Sequence, residues 1–128
     1  MTRAIRTMLL AAAMAGCGSS GGGGPSGVDG TKQVTAVTDS EKGQLCDWFV
    51  AMVGGYGAVQ TCEIASLNAP PTKAECLATF PVCSVPVSAF ETCITALVAA
   101  DKACTTAAIV EAQSKPECQT VGNGGCFE

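Results

Sequence analysis

The chain has 128 residues, a formal net charge of −4, nine cysteines and no histidine. That length suffices for one domain. Acidic residues are scattered and no basic patch occurs, so a nucleic-acid partner is not expected. The missing histidine removes Ser-His-Asp and Cys-His catalysis, His-containing zinc sites and HExxH hydrolases.

At the N-terminus, Arg3 and Arg6 precede a short apolar run over residues 7–15. The run is far below the roughly 20 residues of a permanent membrane span. It reads as a cleavable export signal. Met14, Ala15, Gly16 and Cys17 then resemble the bacterial lipobox, in which an apolar residue and two small ones precede a cysteine. Leu is usual where Met14 stands. The resemblance implies that residues 1–16 are removed and that the Cys17 thiol carries a diacylglyceryl group. Each buried CH₂ contributes roughly 0.8 kcal/mol, so two or three acyl chains hold where one holds weakly. Loss of Arg3 and Arg6 takes the charge from −4 to −6. Gly18 stands where the inner-membrane retention signal is usually Asp, which implies the outer membrane. The alternative is an ordinary secretory leader and a soluble, secreted, inhibitor-like interaction protein.

Residues 17–34 are expected to form a flexible linker behind the anchor. The run of Gly and Ser from Gly18 offers almost nothing apolar to offset chain entropy. From Gly18 to Val34 its mean span would be roughly 20–25 Å.

Residues 35–128 are expected to form the globular domain. Thr38 and Glu41 match a capping box and open a helix over residues 39–55. Leu45, Phe49, Met52, Val53 and Tyr56 share one face of it, and Gly54 and Gly55 end it. Residues 57–71 are expected to form an irregular loop, with a small hairpin as the alternative. Thr72 and Glu75 form a second capping box, opening a short helix that Pro81 stops. A third helix begins near Pro86, placed in its first turn. Its apolar face carries Phe90, Cys93, Ile94, Leu97 and Val98. A fourth, Ala-rich helix is expected over residues 103–113, bounded by Pro116, with Glu111 and Lys115 as an i,i+4 pair. A turn at Gly122 to Gly125 closes the chain, held by Cys118 and Cys126. The fold class is therefore mostly α, a small disulfide-stapled domain of three or four short helices. An α+β fold with one small hairpin is the alternative.

Several stretches carry a second resemblance. Leu45-Cys46-Asp47-Trp48 is followed by Gly54-Gly55-Tyr56-Gly57 and Cys62. Glu75-Cys76, Phe80-Pro81, Cys83 and Phe90-Glu91 with Cys93 come next. Together, over residues 44–104, they resemble small cysteine-rich lipoproteins of myxobacterial type. The resemblance implies no activity and transfers no catalytic residue.

Setting Cys17 aside leaves an even set: Cys46, Cys62, Cys76, Cys83, Cys93, Cys104, Cys118 and Cys126. So high a density belongs to an oxidising compartment, and the even number is expected to form four disulfides. Intervening lengths are 15, 13, 6, 9, 10, 13 and 7 residues. No CxxC occurs, which argues against zinc ribbons, thioredoxin-like sites, haem attachment and iron–sulfur clusters. No metal or cofactor is expected. Eight cysteines allow 105 pairings, and sequence does not choose among them. The two longest helices are expected to pack together, so that Cys46 or Cys93 forms an inter-helix bridge, with Cys46–Cys93 the favoured pair. The alternative ties each of these to a loop cysteine such as Cys62 or Cys118.

Candidate catalytic groups are few, and no enzymatic activity is expected. Lys73 or Lys102 beside a serine lacks an SxxK motif. Glu63, Glu75 and Glu91 offer carboxylates, but Glu75 reads as a capping residue and Glu91 as a solvated helix position. Gly54, Gly55 and Gly57 form neither GxGxxG nor a P-loop. Trp48 borders the first apolar face and is expected to pack on the core. Exposed, it would be the first candidate contact residue. The function expected is that of a membrane-anchored envelope lipoprotein with a non-catalytic structural, adhesion or binding domain.

Overall fold

The computed structural model describes residues 23–59, 62 and 67–127. Helices α1 (Asp39–Val53), α2 (Lys73–Ala78), α3 (Val87–Ala103), α4 (Thr106–Ser114) and α5 (Pro116–Asn123) follow one 3₁₀ turn at Val34–Ala36. No strand occurs among the described residues, so the domain is the mostly α, disulfide-stapled one and not the α+β alternative. The expected loop over residues 57–71 is cinched at its ends, where Gly57 N–H donates to Pro70 and Ala69 N–H to Ala58. Residues 60, 61 and 63–66, on which much of the alternative hairpin fell, lie outside the described residues.

The helix starts follow local chemistry. The Thr38 side chain accepts from Glu41 N–H while the Glu41 carboxylate accepts from Thr38 N–H, completing the capping box. Gly54, with φ of 106°, takes the left-handed conformation that ends α1. Thr72 and Thr105 cap α2 and α4 through their hydroxyls. Pro86 is the N-cap of α3 rather than a first-turn residue. Pro116 bounds α4 as expected but also begins α5, its fixed φ suiting the first helical position. The closing turn expected at Gly122 to Gly125 is partly replaced by this fifth helix, which contains Cys118 and runs through Asn123, so the turn begins at Gly124. Glu111 and Lys115 form no ion pair, because the chain leaves α4 at Lys115, which is extended.

The expected flexible linker over residues 17–34 is corrected from Gly23 onward. Residues 23–34 fold against the domain, and Val28 and Val34 are each 1% exposed. The α3 N-terminus explains why. Pro86 supplies no side-chain cap, so the first amides of α3 need other partners. Val87 N–H donates to Lys32 C=O at 2.8 Å and Ser88 N–H to Gly30 C=O at 3.0 Å. Val34 N–H in turn donates to Val85 C=O at 2.9 Å. This N-terminal strap therefore caps α3 with its backbone. Composition hid it because Val28 is the only large apolar residue between Gly18 and Gly30. Residues 17–22 lie outside the described residues.

The core is built largely of valine. Val28, Val34, Val37, Val50, Val53, Val85, Val87, Val98 and Val121 are buried, with Leu45, Phe90 and Ile94. Four disulfides staple it: Cys46–Cys76, Cys62–Cys104, Cys83–Cys126 and Cys93–Cys118. The favoured Cys46–Cys93 bridge is thus incorrect. The two longest helices do not form the main packing pair. Helix α1 packs chiefly on α2, and α3 on α5 and α4, whereas α1 and α3 meet only sparsely. Each helix cysteine therefore bridges to its own helix's neighbour. Cys46 reaches α2 with a Cα separation of 6.1 Å, and Cys93 reaches α5 with 4.7 Å.

Candidate functional site

All four phenylalanines of the chain line one cleft. Leu45 and Phe49 form one wall, four residues apart on α1. The Cys46–Cys76 disulfide joins that wall to α2. Phe80 follows α2 where Pro81 breaks the chain. Phe90 and Ile94, also four apart, present α3. Phe127 closes the cleft from the C-terminal tail, which Cys126 ties to Cys83. Phe80 and Phe90 sit with ring centroids 6.4 Å apart at a 47° tilt, an attractive aromatic geometry.

The cleft encloses about 540 Å³, a volume typical of small-molecule sites. Its polar lining is sparse: Asn68, Glu75 and Thr79. Glu75 is exposed at the rim, and its backbone N–H donates to the Thr72 hydroxyl oxygen. A second cleft of about 600 Å³ lies alongside, bordered by Leu97, Asp101 and Ile109. Leu67 and Phe127 border both. Asp101 is 3% exposed. Its Oδ2 accepts from Leu67 N–H at 3.4 Å, and Oδ1 has no hydrogen-bond partner among the described residues.

The sequence-based candidates are dispersed. Glu91 is not solvated: it is 2% exposed and its carboxylate accepts from the Ser26 N–H at 3.1 Å and from the Ser26 hydroxyl. Only half of the expected second capping box forms: Glu75 N–H donates to the Thr72 hydroxyl, but the Glu75 carboxylate does not return to the Thr72 N–H, and Glu63 lies outside the described residues. Lys73 pairs with Asp47 at 2.6 Å, and Lys102 is exposed near the end of α3. Asp47 also accepts from the Tyr56 hydroxyl at 2.7 Å. Trp48 is half-buried against the core. All eight domain cysteines are brought together in pairs, and Cys17 lies outside the described residues. Among the described residues, no three His, Cys, Asp or Glu side chains cluster as metal ligands. No described helix is long and apolar enough to cross a membrane.

Sequence reasoning missed the cleft because its phenylalanines come from four separate segments. Phe49 and Phe90 read as ordinary core positions, and Phe80 and Phe127 adjoin no clear periodicity. Comparison of the chain with protein-family models, with curated proteins and with solved structures finds no match.

Proposed function

We propose that this chain is a membrane-anchored cell-envelope lipoprotein, tethered through lipid on Cys17 and carrying a non-catalytic binding domain. The observation that carries this reading is the cysteine balance. Eight of the nine cysteines are consumed in four disulfides. The ninth stands behind Met14, Ala15 and Gly16 in a lipobox-like sequence. Gly18 supports the outer membrane as destination. A binding role, rather than a purely structural or adhesive one, is supported by the open, apolar, disulfide-framed cleft. Only five residues, 18–22, separate Cys17 from the folded strap at Gly23. Whatever their conformation, they can hold the domain at most roughly 20 Å from an anchoring lipid surface.

Intact mass and detergent-phase partitioning test the proposal. The mature protein should begin at Cys17, carry acyl chains and enter the detergent phase. Cys17→Ser should leave an uncleaved or soluble form. A free Cys17 thiol on the mature protein would overturn the lipoprotein reading. Aqueous partitioning of a protein cleaved elsewhere would favour the secreted one.

A further inference from the structure

We infer that the phenylalanine cleft is a binding site for an uncharged, largely apolar small molecule. The inference rests on reading the domain as a binding module and is independent of lipid on Cys17.

The first argument is the partition of apolar residues. Small domains ordinarily bury their largest side chains, since each contributes most to stability. Here the core is filled largely with valine and holds only one of the four phenylalanines, Phe90, while Phe49, Phe80 and Phe127 stand partly or largely exposed around an open space. Phe127 is 55% exposed and Phe49 and Phe80 are half-buried. Apolar surface arranged this way remains in water until something fills the cleft.

The second argument is rigidity. An apolar cleft of this size would collapse if its walls were free to approach, because unfilled space forfeits dispersion contacts. Two walls are fixed by covalent bonds. Cys46–Cys76 sets the separation of α1 and α2, and Cys83–Cys126 fixes the tail that carries Phe127. A ligand entering such a preformed site orders little of the protein.

The third argument is charge. Among the described residues, no Lys or Arg lines either cleft, while Glu75 lines the first and buried Asp101 the second. An anionic headgroup, such as a carboxylate, phosphate or sulfonate, would meet like charge without a compensating cation. Asn68, Glu75 and Thr79 can hydrogen-bond a neutral polar group at the mouth.

A matched pair of probes tests this on the oxidised full chain carrying Cys17→Ser, so that no acyl chain competes. N-phenyl-1-naphthylamine and 8-anilino-1-naphthalenesulfonate share one aromatic body and differ by a sulfonate. The neutral probe should bind saturably and at least roughly tenfold more tightly. Phe80→Ala and Phe127→Ala should each weaken it by roughly tenfold, the scale of one lost aromatic contact surface. Ile109→Ala, confined to the second cleft, and Val82→Ser, on an 84% exposed residue outside both, should leave it unchanged. Glu75→Lys should bring the sulfonate within about threefold of the neutral probe. Thiol counts and melting curves keep folding failures separate, and Phe127 is exposed enough that its truncation spares the core. Equal affinity for both probes, unsaturable binding, or an equal effect of Val82→Ser would overturn the site. Loss of lipidation with intact probe binding would overturn the anchor alone.

Discussion

Glu91 on α3 receives two hydrogen bonds from Ser26, a residue 65 positions earlier in the chain. This contact pins the N-terminal strap, and the strap's carbonyls cap α3. A single buried carboxylate thus couples a glycine-rich segment to the longest helix.

Glu91→Ala should therefore lower stability by about 1–3 kcal/mol, the scale of a buried hydrogen-bonded group left without its partner. Hydrogen exchange should rise at Ser26 and also at Val87 and Ser88, whose acceptors lie on the strap. Gly24→Ala should act in the same direction, since a Cβ there would lie 1.9 Å from Glu91 Oε2. Unchanged protection at Val87 and Ser88 in Glu91→Ala would show that the strap holds without this contact.

Local chemistry made much of the helical layout legible and little of the packing. Thr38 with Glu41 and Thr72 with Glu75 mark helix starts because both partners of each cap lie within one turn. Phe90, Ile94 and Val98 mark α3 because a face repeats every three or four residues. Pro116 was ambiguous, since the same fixed φ that stops one helix starts the next. Glu91 looked solvated because its partner, Ser26, sits in a segment that composition assigns to a linker. Cys46–Cys76 and Cys93–Cys118 depend on which helices are neighbours, and helix length was a poor guide to that. The cleft is a property of assembly alone, drawn from segments with no shared local pattern.

Glu41 should make the fold sensitive to acid. The Lys32 ammonium, at 2.6 and 2.8 Å, and the Thr38 N–H hold its carboxyl down to about 2, against an ordinary value of 4.5. A carboxyl lowered by folding stabilises fully above its unfolded value and loses that contribution as the native form protonates. Stability should thus fall between pH 4.5 and about 2. Glu41→Gln keeps a capping-box residue but removes the titration. Urea midpoints across this range should fall less steeply in the variant, and equal slopes would show that the acid sensitivity lies elsewhere.

Tyr56 is the chain's sole tyrosine, so phenolate absorbance reports on it alone. Partial withdrawal from water and the Asp47 carboxylate push its hydroxyl from 10.0 up to about 12. Folding therefore favours the neutral phenol. Its stabilising contribution is complete below pH 10 and is lost as pH rises through about 12. In Asp47→Asn the spectrophotometric midpoint should move down, stopping above 10 because the desolvation remains. A wild-type midpoint near 10 would mean that the Tyr56–Asp47 hydrogen bond does not persist in solution.

The four disulfides should not reduce together. Thiol–disulfide exchange requires the attacking thiolate to reach a sulfur, and exposure differs sharply among the pairs. Cys104 is exposed and its partner Cys62 half-buried. Cys93 with Cys118, and Cys83 with Cys126, are buried at both ends. Cys46 is buried and Cys76 half-buried, which makes Cys46–Cys76 intermediate. Graded reductant under native conditions, followed by alkylation and peptide mapping, should label Cys62 and Cys104 first. That first step should leave most of the fold intact, because neither residue belongs to the buried core. Opening Cys93–Cys118 should be last and should accompany unfolding. It closes a 25-residue separation between α3 and α5, and losing such a bridge costs roughly 2–4 kcal/mol. Simultaneous labelling of all eight cysteines at the lowest reductant would mean that one cooperative opening, rather than local access, controls reduction. Recovery of a Cys46–Cys93 peptide would overturn the pairing itself.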